Sequence, residues 1–392
     1  MEKKVPALRF REFNCEWERK ILKDIAKNIT AKNKDTTIKN VFTNSAIKGI
    51  VNQRDFFDKD IANQNNLSGY YIVDYNDFIY NPRISSFAPV GPIRRNHIGK
   101  GIMSPLYTIF KIFEGNLDFF EIYFSTSKWH AYMDTIANYG ARADRMNIKN
   151  DDFYSMPVPL PSVSEQAKIA SFLTSIDRKI EMLEKQLELQ ERYKKGMMQK
   201  LFSQEIRFKD ENGEEFPEWE EKRLGDVATI VMGSSPPSSS YNTIGIGLPL
   251  IQGNADILNR LTIIRNYTKI TTKEAKYGDI IMSVRAPVGT VAKAQFQCCI
   301  GRGVCTIQNA NEFIYQWLIH FESGWSKIQQ GGIFDSINSD NIKTLSIPFP
   351  CKKEQQKIAG LLAKLDVKIE QSKKQIEAAK QWKKGLLQQM FV

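Results

Sequence analysis

The chain has 392 residues, 42% of them hydrophobic, enough for two domains with real cores. It carries a formal charge of +11, which suits a polyanionic partner. No apolar run is long enough to cross a membrane, and Met1-Glu2-Lys3-Lys4-Val5-Pro6 lacks the apolar stretch of a signal peptide, so a cytoplasmic location is expected. Cys15, Cys298, Cys299, Cys305 and Cys351 show neither CxxC spacing nor an even framework and read as reduced thiols, and the scattered His97, His130 and His320 argue against zinc.

In chain order, the first segment opens on Glu16-Trp17-Glu18, then Leu22 and Asp24-Ile25-Ala26. Short apolar runs broken by Gly, Pro and Asn follow (Ile102-Met103, Leu106 to Ile112), which predicts a strand-rich globule. A helix is expected over Leu117-Asp-Phe-Phe-Glu-Ile-Tyr-Phe124. The breaker Pro157-Val-Pro-Leu-Pro161 then leads into a long helix, with Ser162 and Glu165 spaced as a capping box. Its apolar residues Ile169, Leu173, Ile176, Ile180, Leu183 and Leu187 alternate four and three apart, the seam of a coiled coil.

After an acidic stretch from Asp210 to Asp226 the plan repeats. Glu218-Trp219-Glu220, Leu224 and Asp226-Val227-Ala228 echo the opening, and Tyr277-Gly-Asp-Ile-Ile-Met282 echoes Tyr75-Asn-Asp-Phe-Ile-Tyr80. Strands are expected at Leu248-Pro-Leu-Ile251 and Gly278 to Val284, and a helix over Asn311-Glu-Phe-Ile-Tyr-Gln-Trp-Leu318. Pro348-Phe-Pro then opens a second long helix with the seam Ile358, Leu362, Leu365, Ile369 and Ile376, interrupted by Ser372. At a constant offset of 189, 20 of the 44 pairs from 159 to 202 are identical. About 38 residues at ~1.5 Å each make a rod of roughly 57 Å. Two such rods in one chain most simply pack on each other; joining a partner chain is the alternative. The expected organisation is 1–158 globule, 159–203 rod, 204–347 globule and 348–392 rod.

A catalytic centre is not visible. Asn81-Pro82 continues Arg-Ile, whereas an adenine methyltransferase needs Asn/Asp-Pro-Pro-aromatic. Gly245-Ile-Gly247 and Gly301-Arg-Gly303 lack the third glycine of a cofactor loop, and Gly99-Lys100-Gly101 lacks the spacing of a phosphate loop. No HExxH and no Ser or Cys with a local activating base is present.

The doubled Pro-x-Pro…Glu-Gln-x-Lys-Ile-Ala helix ending in Lys-Lys-Gly, together with Gly278-Asp-Ile-Ile-Met-Ser-Val-Arg-Ala-Pro-Val-Gly289 and Ile300-Gly-Arg-Gly303, resembles the specificity subunits of type I restriction–modification systems. The resemblance covers nearly the whole chain. It implies an α+β fold with a pseudo-twofold internal repeat: two α/β target recognition domains separated by two long antiparallel coiled-coil helices. Each domain would read one half of a bipartite double-stranded DNA site, and the helices would set the gap and dock two modification subunits. The chain would be non-catalytic and hold no cofactor. S-adenosylmethionine would sit on the modification subunits, and ATP and Mg on restriction or translocase subunits where these join. A DNA-binding regulator or scaffold with a coiled-coil interface is the alternative.

Phosphate contact favours Lys, Arg and backbone amides; base reading favours Arg for guanine and Asn or Gln for adenine. In the first domain the candidates are Asn44, Ser45, Lys48, Gln53, Arg54, Arg83, Arg94, Arg95, Lys100, Arg142 and Arg145. In the second they are Ser234, Ser235, Gln252, Asn254, Arg285, Lys293 and Arg302. Arg94 and Arg95 sit between Gly91-Pro92 and Gly99, which reads as a loop where buried pairing is not expected. Arg285 has Asp279 as a possible partner nearby in sequence. Trp17 and Trp219 recur at matched places, which favours packing over base stacking; Tyr193 and Trp382 suit a rod end or a partner interface.

Overall fold

The computed structural model describes residues 5–56, 64–139, 144–325 and 336–392. The chain divides into two compact units, Met1–Glu184 with Gln375–Val392, and Lys185–Lys374. Each unit therefore holds one globule and one half of each rod.

In the first unit an antiparallel sheet runs in the order Ala26–Asn28, Thr108–Ile112, Phe78–Tyr80, Ile93–Arg95. One face packs on the helix Leu117–Ser125, whose Asn116 side chain accepts the Phe119 N–H at 2.9 Å, an N-cap. Phe78, Phe110, Phe119, Phe120 and Phe124 fill that interface. The globule closes where Glu18–Ile21 pairs antiparallel with Pro157–Leu160, directly before the first rod, Val163–Phe202. Most of the proline-rich breaker is thus a strand, and Pro157 and Pro159 sit in a two-stranded ribbon.

The second unit repeats the plan with more strands. Its six-stranded sheet runs Thr229–Met232, Val304–Gln308, Ile280–Ser283, Val291–Lys293, Leu261–Thr262, Ile257–Leu258. A five-stranded sheet carries Leu248–Ile251 beside Cys298–Ile300. The helix Glu312–Phe321 is capped by Asn311, and the closing ribbon pairs Glu220–Arg223 with Ser346–Phe349 before the second rod, Lys352–Gln389. All five cysteines are free thiols; Cys298, Cys299 and Cys305 are buried, Cys15 exposed and Cys351 half-buried.

Within each unit the rod halves run antiparallel. In the first, Lys380 pairs with Glu184 and Lys383 with Asp177. In the second, Lys373 pairs with Glu191 and Lys194 with Asp366 at 2.6 Å. The seam residues Ile169, Leu173, Ile176, Ile180, Ile358, Leu362, Ile369 and Ile376 are buried, while Leu183, Leu187 and Leu365 are half-buried. Ser372 does not break the seam: it is buried and its hydroxyl donates to Gln190 Oε1 at 2.9 Å. Phe391 closes on Trp17, Phe119 and Tyr123, and Phe202 on Phe313 and His320. The packing role expected for Trp17 holds, and Trp219 likewise packs on the second core.

The capping box expected at Ser162 is only half formed. The Glu165 N–H donates to Ser162 Oγ at 3.3 Å, but the Glu165 carboxylate turns inward. It is 1% exposed, takes a bidentate pair from Arg9 at 2.7 and 2.8 Å, and accepts the Trp17 indole N–H at 3.2 Å. Glu354 is 0% exposed and does the same with Arg207 at 3.2 and 3.0 Å and Trp219 at 2.9 Å. The hydrogen bonds to these carboxylates raise the Arg9 and Arg207 guanidinium pKa values against their burial. The adjacent Gln166 and Gln355 donate to Pro161 O and Pro350 O at 2.9 and 2.7 Å. The Glu-Gln of the repeated motif is therefore the joint between rod and globule.

Candidate nucleic-acid interface

In each globule several of the candidate residues lie on loops that hydrogen bonds tie together. In the first unit the hairpin Phe42–Ser45/Gly49–Asn52 turns through Ala46, Ile47 and Lys48. Ser45 Oγ accepts the N–H groups of Ile47 and Lys48 at 3.3 and 3.2 Å, which fixes the turn. Asn44 is buried; its side-chain amide donates to Ile79 O at 2.8 Å and Pro92 O at 3.2 Å, and its backbone carbonyl accepts from the Asn81 side-chain amide at 2.8 Å. Those bonds hold the hairpin to the loop after Phe78–Tyr80, so Asn44 is a joint of the edge rather than its surface. That loop returns through Gly91, at φ +79, where a Cβ would lie 2.1 Å from Asn81 O; only glycine fits.

Arg83 is exposed on this loop. Its Nε lies 3.4 Å from Asp144 Oδ2, and its backbone bridges Arg145. Arg145 is half-buried and lines a cavity of about 450 Å³ with Tyr71, Tyr107 and Phe153. The hairpin turn, Arg83 and Arg145 thus meet at one edge, with Ile47 and Phe87 70% and 72% exposed beside them. Lys48, Arg54 and Lys100 are exposed, and Gln53 is half-buried at the start of the short helix Gln53–Phe56, its N–H on Val41 O. Arg142 lies outside the described residues.

Arg94 and Arg95 are not in a loop. They lie on the strand Ile93–Arg95, and Arg95 is paired there, with carboxylates that remain part-exposed. Arg95 is bonded through Nε and Nη2 to Asn76 Oδ1, at 2.8 and 2.6 Å, and through Nη1 to Asp118 at 2.5 Å and Glu121 at 3.4 Å. Arg94 donates to Ala46 O and Ile93 O at 3.3 and 3.4 Å, and burial lowers its pKa. The carboxylates lie more than twenty residues downstream, on the helix that covers the sheet, so local spacing hides them.

In the second unit Ser234, Ser235, Gln252 and Arg302 come together. The Arg302 N–H donates to Ser235 Oγ at 3.0 Å, Ser234 N–H to Ile300 O at 2.9 Å, and the Gln252 amide to Tyr241 Oη at 2.8 Å. Gly303 allows this: a Cβ there would meet Gln252 O at 2.1 Å. Val284 N–H donates to Gly303 O at 2.9 Å, which brings the exposed Arg285 to the same edge. Asp279, the alternative partner for Arg285, accepts the Lys276 N–H at 2.8 Å. Asn254 and Lys293 lie elsewhere, lining a groove of about 1690 Å³. Lys293 pairs with Glu312 and sits 4.5 Å over the Tyr315 ring. That groove also holds Arg260, paired with Glu322, which the sequence reading passed over because the partner is 62 residues away.

Residues 14–191 and 217–381 match the model of the type I restriction modification DNA specificity domain. The protein named as the MjaX specificity subunit of a type I restriction enzyme, from Methanocaldococcus jannaschii, is 37% identical over 252 residues, 60% of this chain and 59% of that one. The MjaIX specificity subunit of the same organism is 28% identical over 49% of this chain and 48% of its own length. The chain thus spans about half to three fifths of the curated relatives it matches. The fold is similar to a chain of a type I restriction–modification assembly, with a TM-score of 0.64 at 22% identity over 95% of this chain and 96% of that one. It is also similar to the S subunit of the type I system from M. genitalium, with a TM-score of 0.58 at 14% identity over 99% of both chains. With both of its halves matched by one family model, the chain belongs to the type I restriction modification DNA specificity domain family.

Proposed function

We propose that this chain is the non-catalytic DNA-specificity subunit of a type I restriction–modification complex. Each globule reads one half of a bipartite site in double-stranded DNA through its polar edge. The observation that carries the reading is the doubled family match, each copy ending in a loop edge that bears exposed arginine: Arg83 in one, Arg285 and Arg302 in the other. Ser45, Lys48 and Arg145 on the first edge, and Ser234, Ser235 and Gln252 on the second, are the further candidates for phosphate and base contact. The paired rods set the half-site gap, and their exposed Met182, Leu189, Tyr193, Val367 and Trp382 give docking surface to modification subunits. Those subunits bring S-adenosylmethionine and methylate adenine, and restriction subunits use ATP and Mg where they join. No helix among the described residues is long and apolar enough to cross a membrane.

The test is a methylome. The chain is co-expressed with its modification subunit in a host that lacks adenine methylation, and N6-methyladenine is mapped by single-molecule sequencing. Two short specified halves around a fixed gap are expected, and exchanging residues 1–158 for another such domain changes one half alone. Unmethylated DNA in the presence of a demonstrated complex points instead to a regulator or scaffold.

A further inference from the structure

The landmarks Trp17 and Trp219, and Tyr80 and Met282, stand 202 residues apart; at the same offset Arg83 answers Arg285. The two arginines occupy matching places in their own domains. Arg83 follows the strand Phe78–Tyr80, which lies between Thr108–Ile112 and Ile93–Arg95. Arg285 follows Ile280–Ser283, which lies between Val304–Gln308 and Val291–Lys293. Each is exposed, and each forms an isolated antiparallel bridge to the segment returning toward a rod, Arg83 to Arg145 and Arg285 to Ser336.

The loops around them do not match. One runs Ile84-Ser-Ser-Phe-Ala-Pro-Val90, the other Ala286-Pro-Val-Gly289, and the next strands begin at Ile93 and Val291. Two half-sites of different sequence need different base readers, and diverged loops supply them. What every half-site shares is the sugar–phosphate backbone, and phosphate contacts fix register without carrying sequence.

We infer that Arg83 and Arg285 are matched phosphate contacts, one per half-site, which set the register of each domain on the duplex while the unmatched residues beside them read bases. The inference rests on the proposed function. Asp144, 51% exposed, lies 3.4 Å from Arg83 Nε and orients that guanidinium at the exposed edge.

The experiment titrates the complex of this chain with its modification subunits against labelled cognate and scrambled duplexes across KCl concentrations. Arg83→Gln and Arg285→Gln are each expected to weaken binding to both duplexes about threefold to tenfold, and to lower the slope of log K against log salt by about 1. The methylated motif stays the same, and Arg83→Lys and Arg285→Lys keep the wild-type slope. A variant that relaxes one base of one half-site at unchanged slope is a base reader, which overturns the inference; so does unchanged affinity and slope. Failure of the parent reading looks different: the wild-type complex would methylate no split motif.

Discussion

Around Glu165 a buried carboxylate holds Arg9 and Trp17; around Glu354 another holds Arg207 and Trp219 with the same bonds. At the outer edges the halves part company. The first carries a two-stranded hairpin whose Asn44 is locked inward, and the second a serine–proline loop, with Ser235, packed on Gly301 and Gln252. The difference follows from burial. A desolvated ion pair tolerates little change, since removing one partner strands the other. An exposed loop carries no such penalty, so its sequence can change while the joint stays fixed.

That comparison breaks first at the joints. Glu165→Ala and Glu354→Ala each leave a mostly buried arginine and an indole N–H without their acceptor, at a cost of about 3 kcal/mol. Because the two sites share their bonds, urea unfolding followed by tryptophan fluorescence should show losses that agree within about 1 kcal/mol. A large loss at one site and none at the other would mean that the repeat is only a likeness of sequence.

A smaller effect separates the two kinds of arginine on the first domain. Arg95, 9% exposed and tied to Asn76, Asp118 and Glu121, is a framework residue. Asp118 is 60% exposed, so screening limits the loss in Arg95→Ala to about 1 kcal/mol of stability. DNA affinity in the folded variant should keep its full salt slope, unlike Arg83→Gln. A reduced slope in Arg95→Ala would place that strand on the duplex and move the interface.

How far a residue's surroundings are legible in sequence is a matter of where its partners lie. The rods announced themselves because seam, breaker and repeat are local, periodic signals that burial then enforces. Leu248–Ile251 is a strand as its apolar run implies, and both N-capped helices stand where their apolar runs put them. Arg95 was misjudged because Gly and Pro flank it, while its carboxylates come from a distant helix. Glu165 looked like a cap because Ser162 is three residues away, and Arg9, its real partner, is 156 away. The equivalence of Arg83 and Arg285 was available in the residue offset alone, since two landmarks already shared it. Under the proposed function, which edge residue meets which base depends on loop shape and on DNA deformation, which no local pattern encodes.

The finest comparison lies in the rods, where one ion pair occurs twice. Lys194 meets Asp366, and 189 residues on in one partner and back in the other, Lys383 meets Asp177. The surroundings differ. Lys194 is 11% exposed against 26% for Lys383, and Asp366 Oδ2 also accepts the amide of the fully buried Gln316 at 2.8 Å. Asp366→Asn therefore weakens a sheltered lysine pair and disturbs a buried amide, whereas Asp177→Asn weakens a pair that water already screens. Because both aspartates are more than two fifths exposed, the expected losses are small: about 1 kcal/mol for Asp366→Asn and less than about 0.5 for Asp177→Asn. Raising salt from 0.1 to about 1 M should shrink the second loss more than the first, because screening reaches the exposed pair more fully. Equal losses at all salt concentrations would show that burial around Gln316 adds nothing, and that the rods are symmetric in energy as well as in sequence.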